Sequence, residues 1–123
     1  MISKELLSEI LNNKKKYDSN LYIEPIVRIK YEGSGIKYNF SDGVINKSSL
    51  MHDGEINIHE LAHKCKDWAF VKHDYIISSY NKGSESVATF YNKDFGVFCS
   101  ETEPEAIFKA CQWILDNKQV SND

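Results

Sequence analysis

The stretch Asn57-Ile58-His59-Glu60-Leu61-Ala62-His63-Lys64-Cys65-Lys66-Asp67-Trp68-Ala69 has two readings, and the fold follows from the choice between them. It contains H-E-x-x-H, the two-histidine zinc signature of metalloproteases. On an α-helix, positions i and i+4 share a face, so His59 and His63 would offer imidazole nitrogens to one zinc ion, with Glu60 as base for the metal-bound water. Such a site also needs a third ligand and a second subdomain to form a cleft. The other reading is an amphipathic helix in a small α+β domain, with both histidines on its polar flank.

Context favours the helix-flank reading. Turned through about 100° per residue, Ile58, Leu61, Ala62, Cys65, Trp68 and Ala69 gather on one side of the helix. His59 and His63 fall roughly 100 to 160° from the centre of that side, beside Lys66, Asp67 and Phe70. The extended signature H-E-x-x-H-x-x-G-x-x-H requires glycine at 66 and histidine at 69, where this chain has Lys66 and Ala69. Glu101, Glu103 and Glu105 open the last helix with Pro104 among them, a pattern that capping explains by itself. Asp67, His73 and His52 are further third-ligand candidates, and no spacing singles one out. Lys64 puts a charge where zinc-protease helices look uncharged, and 123 residues is short for two subdomains and a cleft. Asn57 with Glu60 three residues on also resembles a capping box, which gives Glu60 a structural role. The alternative reading is a minimal zinc-dependent hydrolase using His59, Glu60 and His63, and zinc is the one cofactor considered.

Composition bounds the remainder. The chain is 41% hydrophobic, 12% aromatic and 27% charged, the balance of an ordinary globular domain. A single domain is expected over residues 1–119, with a frayed tail at 120–123. No run of 18 apolar residues exists, so no membrane span is expected. The N-terminus leads into a helix carrying Glu5 and Glu9, unlike a signal peptide, so a cytoplasmic location is expected. Cys65, Cys99 and Cys111 form an odd set without a C-x-x-C pair, which argues against a disulfide framework or a zinc ribbon. A net charge of −3 opposes non-specific nucleic-acid binding, which rests on neutralising phosphates. A weakly acidic surface suits a basic protein partner.

Along the chain, Ser3 caps a helix expected over residues 4–16, with the stripe Leu6, Leu7, Ile10 and Leu11 and with Lys14-Lys15-Lys16 at its C-terminal end. Residues 21–31 read as extended, the strand proper beginning after Pro25. Val27, Ile29 and Tyr31 alternate with Arg28 and Lys30, and Gly33-Ser34-Gly35 turns the chain into Ile36, Tyr38 and Phe40. A short third strand is expected around Val44 and Ile45. Past the central helix, Tyr75–Tyr80, Val87–Tyr91 and Phe95–Cys99 read as strands. Asp94-Phe95-Gly96 spells the kinase magnesium triplet without the loops that accompany it, and is assigned to chance. Thr102-x-x-Glu105 caps a last helix with the stripe Ile107, Ala110, Cys111 and Ile114. The order is α-β-β-(β)-α-β-β-β-α, an α+β fold with one mostly antiparallel sheet of five to six strands and three helices.

The second face of the sheet differs along its length. In the first two strands it carries Arg28, Lys30, Lys37 and Asn39, which suit water. In the later three it is read as carrying Ile76, Tyr80, Ala88, Phe90 and Phe98, which do not. Either the N-terminal helix covers that half in a helix-sheet-helix sandwich, or a protein partner or second copy docks on Ile76, Tyr80, Phe90 and Phe98.

Two segments carry a resemblance. Glu60-Leu61-Ala62-His63-Lys64-Cys65-Lys66-Asp67-Trp68-Ala69 and Thr102-Glu103-Pro104-Glu105-Ala106-Ile107-Phe108-Lys109-Ala110-Cys111-Gln112-Trp113 resemble small uncharacterised phage and prophage proteins of helix-sheet-helix sandwich type. Their last helix reads T-x-x-E-A-I-x-x-A. The resemblance covers the C-terminal half, rests on capping and packing residues and carries over no catalytic residue. It implies a mobile-element accessory protein acting by protein binding, with a host or phage protein as partner and inhibition of host defence as its role.

Overall fold

Two tight hairpins built on paired apolar alternations give the chain its strand ladders. In each, a glycine takes the first turn position at positive φ, Gly33 at 62° and Gly83 at 64°, the backbone that a two-residue turn with this twist demands. The structure, a computed structural model, describes residues 1–11, 14–17, 20–23, 26–41 and 51–118. It is α+β, with three helices and antiparallel strands. The chain groups into two compact units, Ser3–Ile58 and His59–Asp123 together with Met1–Ile2.

In the first unit, helix α1 (Lys4–Leu11) begins after Ser3, whose Oγ accepts the Leu6 N–H at 3.0 Å, as expected of an N-cap. The Ser8 hydroxyl donates to the Lys4 carbonyl at 2.8 Å and accepts the Ile26 N–H at 3.1 Å, tying α1 to the following sheet. Strands β1 (Lys14–Tyr17) and β2 (Asn20–Ile23) pair with each other. Strands β3 (Ile26–Glu32), β4 (Gly35–Ser41) and β5 (Met51–Asn57) form a three-stranded sheet with β4 central. Leu6, Leu7, Ile26, Ile36 and Ile56 are its buried apolar residues.

In the second unit, α2 (Ile58–His73) buries Leu61, Ala62, Cys65, Trp68 and Ala69, the side that the rotation indicates. It ends at Asp74, in the left-handed region at φ 59°, where the short polar side chain is tolerated. Strands β6 (Ile77–Lys82), β7 (Glu85–Phe90) and β8 (Val97–Ser100) form a second three-stranded sheet with β7 central. Helix α3 (Glu103–Lys118) packs across all three strands, and Thr102 Oγ1 accepts the Glu105 N–H at 3.4 Å at its start. The two cysteine-centred stripes meet, the Cys111 thiol donating to the Cys65 carbonyl at 3.5 Å. Full burial of an Ile, Leu or Phe contributes about 1.5–3 kcal/mol, so this side of α3, with Ile107, Phe108, Ile114 and Leu115, anchors the unit.

Three expectations are corrected. There is no single sheet of five to six strands among the described residues: β5 runs directly into α2, and the strands beyond α2 pair only with one another. The first helix ends at Leu11, and Lys14–Lys16 lie in β1. The apolar stripe stops at Leu11, Asn12-Asn13 have weak helix propensity, and the three lysines that follow, though good helix formers, bring nothing to bury. The strand that completes the first sheet is Met51–Asn57; the one expected around Val44 and Ile45, like the tail 120–123, falls outside the described residues.

Candidate functional site

The capped helix sets out the histidines as its rotation dictates. His59, Glu60 and His63 are exposed, and Nε2 of His63 stands 3.8 Å from Oδ2 of Asp67 one turn on, an exposed pair of small energetic value. Both histidines line a shallow recess of about 230 Å³ with Ala62, Lys66, Glu103, Pro104 and Ile107. Of the three glutamates at the start of α3, only Glu103 reaches this recess, and its Oε2 accepts the Ser79 hydroxyl at 2.5 Å. Glu105 pairs instead with the N-terminal ammonium at 2.7 Å, and Glu101 lies beside Cys99 and Lys109. Among the described residues, no group of three or more His, Cys, Asp or Glu side chains is arranged to hold a metal ion.

Buried Cys65 is unsuited to nucleophilic chemistry. A hydrogen bond with the Cys111 thiol, followed by burial and the neighbouring Cys111 charge, pushes the Cys65 thiol well above its ordinary range, the opposite of an activated thiolate.

Register divides the proposed partner surface. Ile77, Ser79, Ala88, Phe90 and Phe98 share one face of the second sheet, because Ile77 pairs with Phe90 and Ala88 with Phe98. This is the side on which Ser79 meets Glu103 and Phe90 meets Trp113, so α3 covers it. Tyr80, Val87 and Cys99 form a row on the opposite face, with Ser78, Thr89 and Val97 beside them. Phe90 is 3% exposed and therefore belongs to the core, whereas Tyr80 is 48% exposed. Phe98 joins Phe90 on the covered face at a centroid distance of 5.3 Å. Ile76 precedes the first strand residue, and its carbonyl accepts the Tyr91 N–H at 2.7 Å. Ile77, not Ile76, stands in register with Phe90, and a one-residue shift exchanges faces, so Ile76 and Tyr80 do not share the face of Phe90 and Phe98.

The structure adds residues that the face reading missed. Tyr91, Phe95 and Val97 are exposed with Ile76 and Tyr80, so five of the eight exposed large apolar side chains among the described residues lie between positions 76 and 97. Asn92 frames this region, its Oδ1 accepting the Ile76 N–H at 3.0 Å and its Nδ2 donating to the Asp74 carbonyl at 2.9 Å. The sequential signal was present in Tyr91 and Val97, but nothing in a single strand shows which loop residues face outward.

A separate recess of about 790 Å³ lies in the first unit, lined by Lys4, Arg28, Ile29, Lys30, Lys37, Tyr38, Asn39, Gly54 and Glu55. Burial pushes the Tyr38 phenol above its ordinary pKa, so it remains a neutral group at physiological pH.

No helix among the described residues is long and apolar enough to cross a membrane. No protein-family model, curated protein or solved structure matches the chain.

Proposed function

We propose that the chain is a small accessory protein of phage or mobile-element type that acts by binding a protein, with inhibition of a host defence as its role. The observation that carries the binding reading is the exposed apolar pair Tyr80 and Val97 on the sheet face that α3 leaves uncovered, with Ile76 and Tyr91 exposed where β6 and β7 meet at that end. Clustered exposed apolar side chains mark interaction surfaces, whereas scattered ones need no explanation. Charge supports a basic partner: residues 59–123 hold seven lysines against ten carboxylates, while residues 1–58 hold eight cations against eight carboxylates. The mobile-element origin and the defence target rest on the resemblance of the α2 and α3 segments alone.

The test is a pull-down from host lysate with wild-type protein and a Tyr80→Glu/Val97→Glu variant. A partner retained by wild type and lost by the variant is expected, with both proteins showing the same circular dichroism spectrum. Equal retention, or no partner at micromolar bait, rejects the reading. A dimer that dissociates in the variant would reassign the surface to self-association.

The zinc-hydrolase reading has one favourable observation, the presence of Glu103 in the recess with His59 and His63. Metal analysis of protein purified without chelator separates the two. Substoichiometric zinc is expected from the exposed pair; stoichiometric zinc lost in His63→Ala would replace the binding reading with the enzymatic one.

A further inference from the structure

We infer that the open edge of β6 pairs antiparallel with β6 of a second copy of this chain, joining two three-stranded sheets across a two-fold axis. Parity along the hairpin shows which backbone groups are available. Gly83 and Ser84 form a two-residue turn, so Lys82 and Glu85 flank it as a hydrogen-bonded pair, and such pairs recur at every second position. The Tyr91 N–H reaching the Ile76 carbonyl at 2.7 Å fits this alternation. Ser78, Tyr80 and Lys82 therefore commit their amides and carbonyls to β7, and those of Ile77, Ser79 and Asn81 point away from it. None of these outward groups has a partner among the described residues.

Other edges are blunted where this one is open. In β8, the Phe90 N–H bonds the Gly96 carbonyl, so the same parity turns Val97 and Cys99 outward. Lys109 of α3 donates from Nζ to the Cys99 carbonyl at 2.7 Å and blocks that edge. In the other unit, β3 carries Arg28 and Lys30 and β5 carries Glu55, and charges along an edge strand discourage further pairing. Strand β6 reads Ile-Ser-Ser-Tyr-Asn-Lys, with its single charge at the turn end.

Register and charge select a second copy as the occupant. With Ser79 opposite Ser79 of the second copy, Ile77 faces Asn81, Ser78 faces Tyr80 and Ile76 faces Lys82, so no like charges stand opposite. Every residue from Ile76 to Lys82 is then paired, through about six inter-chain hydrogen bonds, two for each hydrogen-bonded pair. Moving the axis towards either end runs the ladder into Asp74 or Gly83, both at positive φ and outside the strand. Asp74 and Lys82 bracket β6, and neither side chain has an ion-pair partner among the described residues. Each Lys82 comes to lie one diagonal step from Asp74 of the second copy, and diagonal neighbours about 7–8 Å apart are within reach of a long side chain. The axis makes both contacts at once, which a strand from an unrelated protein has no reason to supply. Edge pairing leaves Val97 on the far strand β8 exposed, and so does not depend on the protein-binding reading.

Sedimentation velocity of the full chain from about 5 to 500 μM tests the pairing, with a monomer–dimer midpoint below about 100 μM expected. Lys82→Glu sets a carboxylate beside Asp74 of the second copy and should weaken the dimer by about tenfold or more. Its circular dichroism should match wild type, because Lys82 is exposed and unpaired within one copy. Adding Asp74→Asn to Lys82→Glu removes the repulsion and should recover part of the loss. Asn81→Pro deletes one outward N–H at an edge position that tolerates proline, and should also give monomer. Hydrogen exchange locates the interface: the amides of Ile77, Ser79 and Asn81 should slow as concentration rises, while those of Val97 and Cys99 should not change. A monomer at about 500 μM overturns the inference. So does a dimer in which those three amides exchange at an unchanged rate. A dimer kept in Lys82→Glu and lost in Val97→Glu would lie on the sheet face, which overturns edge pairing and leaves the protein-binding reading to its own pull-down.

Discussion

Phe90→Ala is expected to destabilise the protein by about 3–5 kcal/mol, the range for deleting a buried aromatic ring. Phe90 is 3% exposed at the end of β7, where four rings surround it: Tyr75 at 4.7 Å, Phe98 at 5.3 Å, Trp113 at 5.7 Å and Phe95 at 6.0 Å between centroids. These neighbours come from the segment after α2, from β8, from α3 and from the loop before β8, so the ring joins four parts of one unit. Inclined pairs of this kind add about 0.5–1.5 kcal/mol each beyond burial, though they share atoms and do not sum. Small domains are held by about 5–15 kcal/mol, so the expected loss removes a large part of the total. Urea unfolding followed by tryptophan fluorescence reads it directly, since Trp113 is one of the four partners. Phe90→Leu separates volume from ring geometry and should cost about half as much. A loss under about 1 kcal/mol for Phe90→Ala would show that the cluster relaxes around the gap and does not hold the unit.

What could be read in the chain beforehand follows the range of the interactions concerned. The hairpin of β3 and β4, the buried side of α2 and the caps at Ser3 and Thr102 are local: each depends on residues a few positions apart, and each is present. Strand β5 was not legible, because Met-His-Asp-Gly-Glu-Ile-Asn has no apolar alternation. Its place comes from backbone pairing to β4, with Gly54 opposite Tyr38. The number of sheets was equally hidden, since periodicity identifies strands and is silent on which strands pair. The helix end at Leu11 was misplaced because basic residues near a C-terminus fit the helix dipole, a weak preference that lost to the end of the apolar stripe.

The candidate sites show the same division. His59 and His63 were correctly placed on the polar flank from rotation alone, and the convergence of Glu103 on their recess required the packing of α3. Alternation alone puts Tyr80, Phe90 and Phe98 on one apolar face, open either to a covering helix or to a partner, and the paired register separates Tyr80 from the other two. Arg28, Lys30, Lys37 and Asn39 were read as a solvated face, which they form. Only their register reveals that two lysines oppose each other with Arg28 alongside.

Gly96→Ala carries the second large effect, expected at about 2–5 kcal/mol, and its origin can be separated experimentally. Gly96 has φ of 101°, a backbone that side-chain-bearing L-residues rarely adopt, and forcing one there costs about 1–3 kcal/mol. A Cβ at this position would also overlap the Phe90 ring at its Cδ2 edge, adding an overpacking cost of about 1–3 kcal/mol. The triplet Asp94-Phe95-Gly96 thus has a structural explanation: the glycine lets the loop fold against Phe90, and its carbonyl accepts the Phe90 N–H at 3.3 Å. A double-mutant cycle divides the two costs. In the Phe90→Ala background the overlap is gone and the backbone strain persists, so Gly96→Ala should cost about 1–3 kcal/mol less than in wild type. Strict additivity would place the whole cost in the backbone. The same substitution bears on function, because Phe95 packs on Trp113 at 5.2 Å through this loop and Val97 follows it directly. If the exposed set at positions 76–97 binds a partner, Gly96→Ala should weaken that binding under conditions where the chain is still folded, although no exposed apolar side chain has been changed.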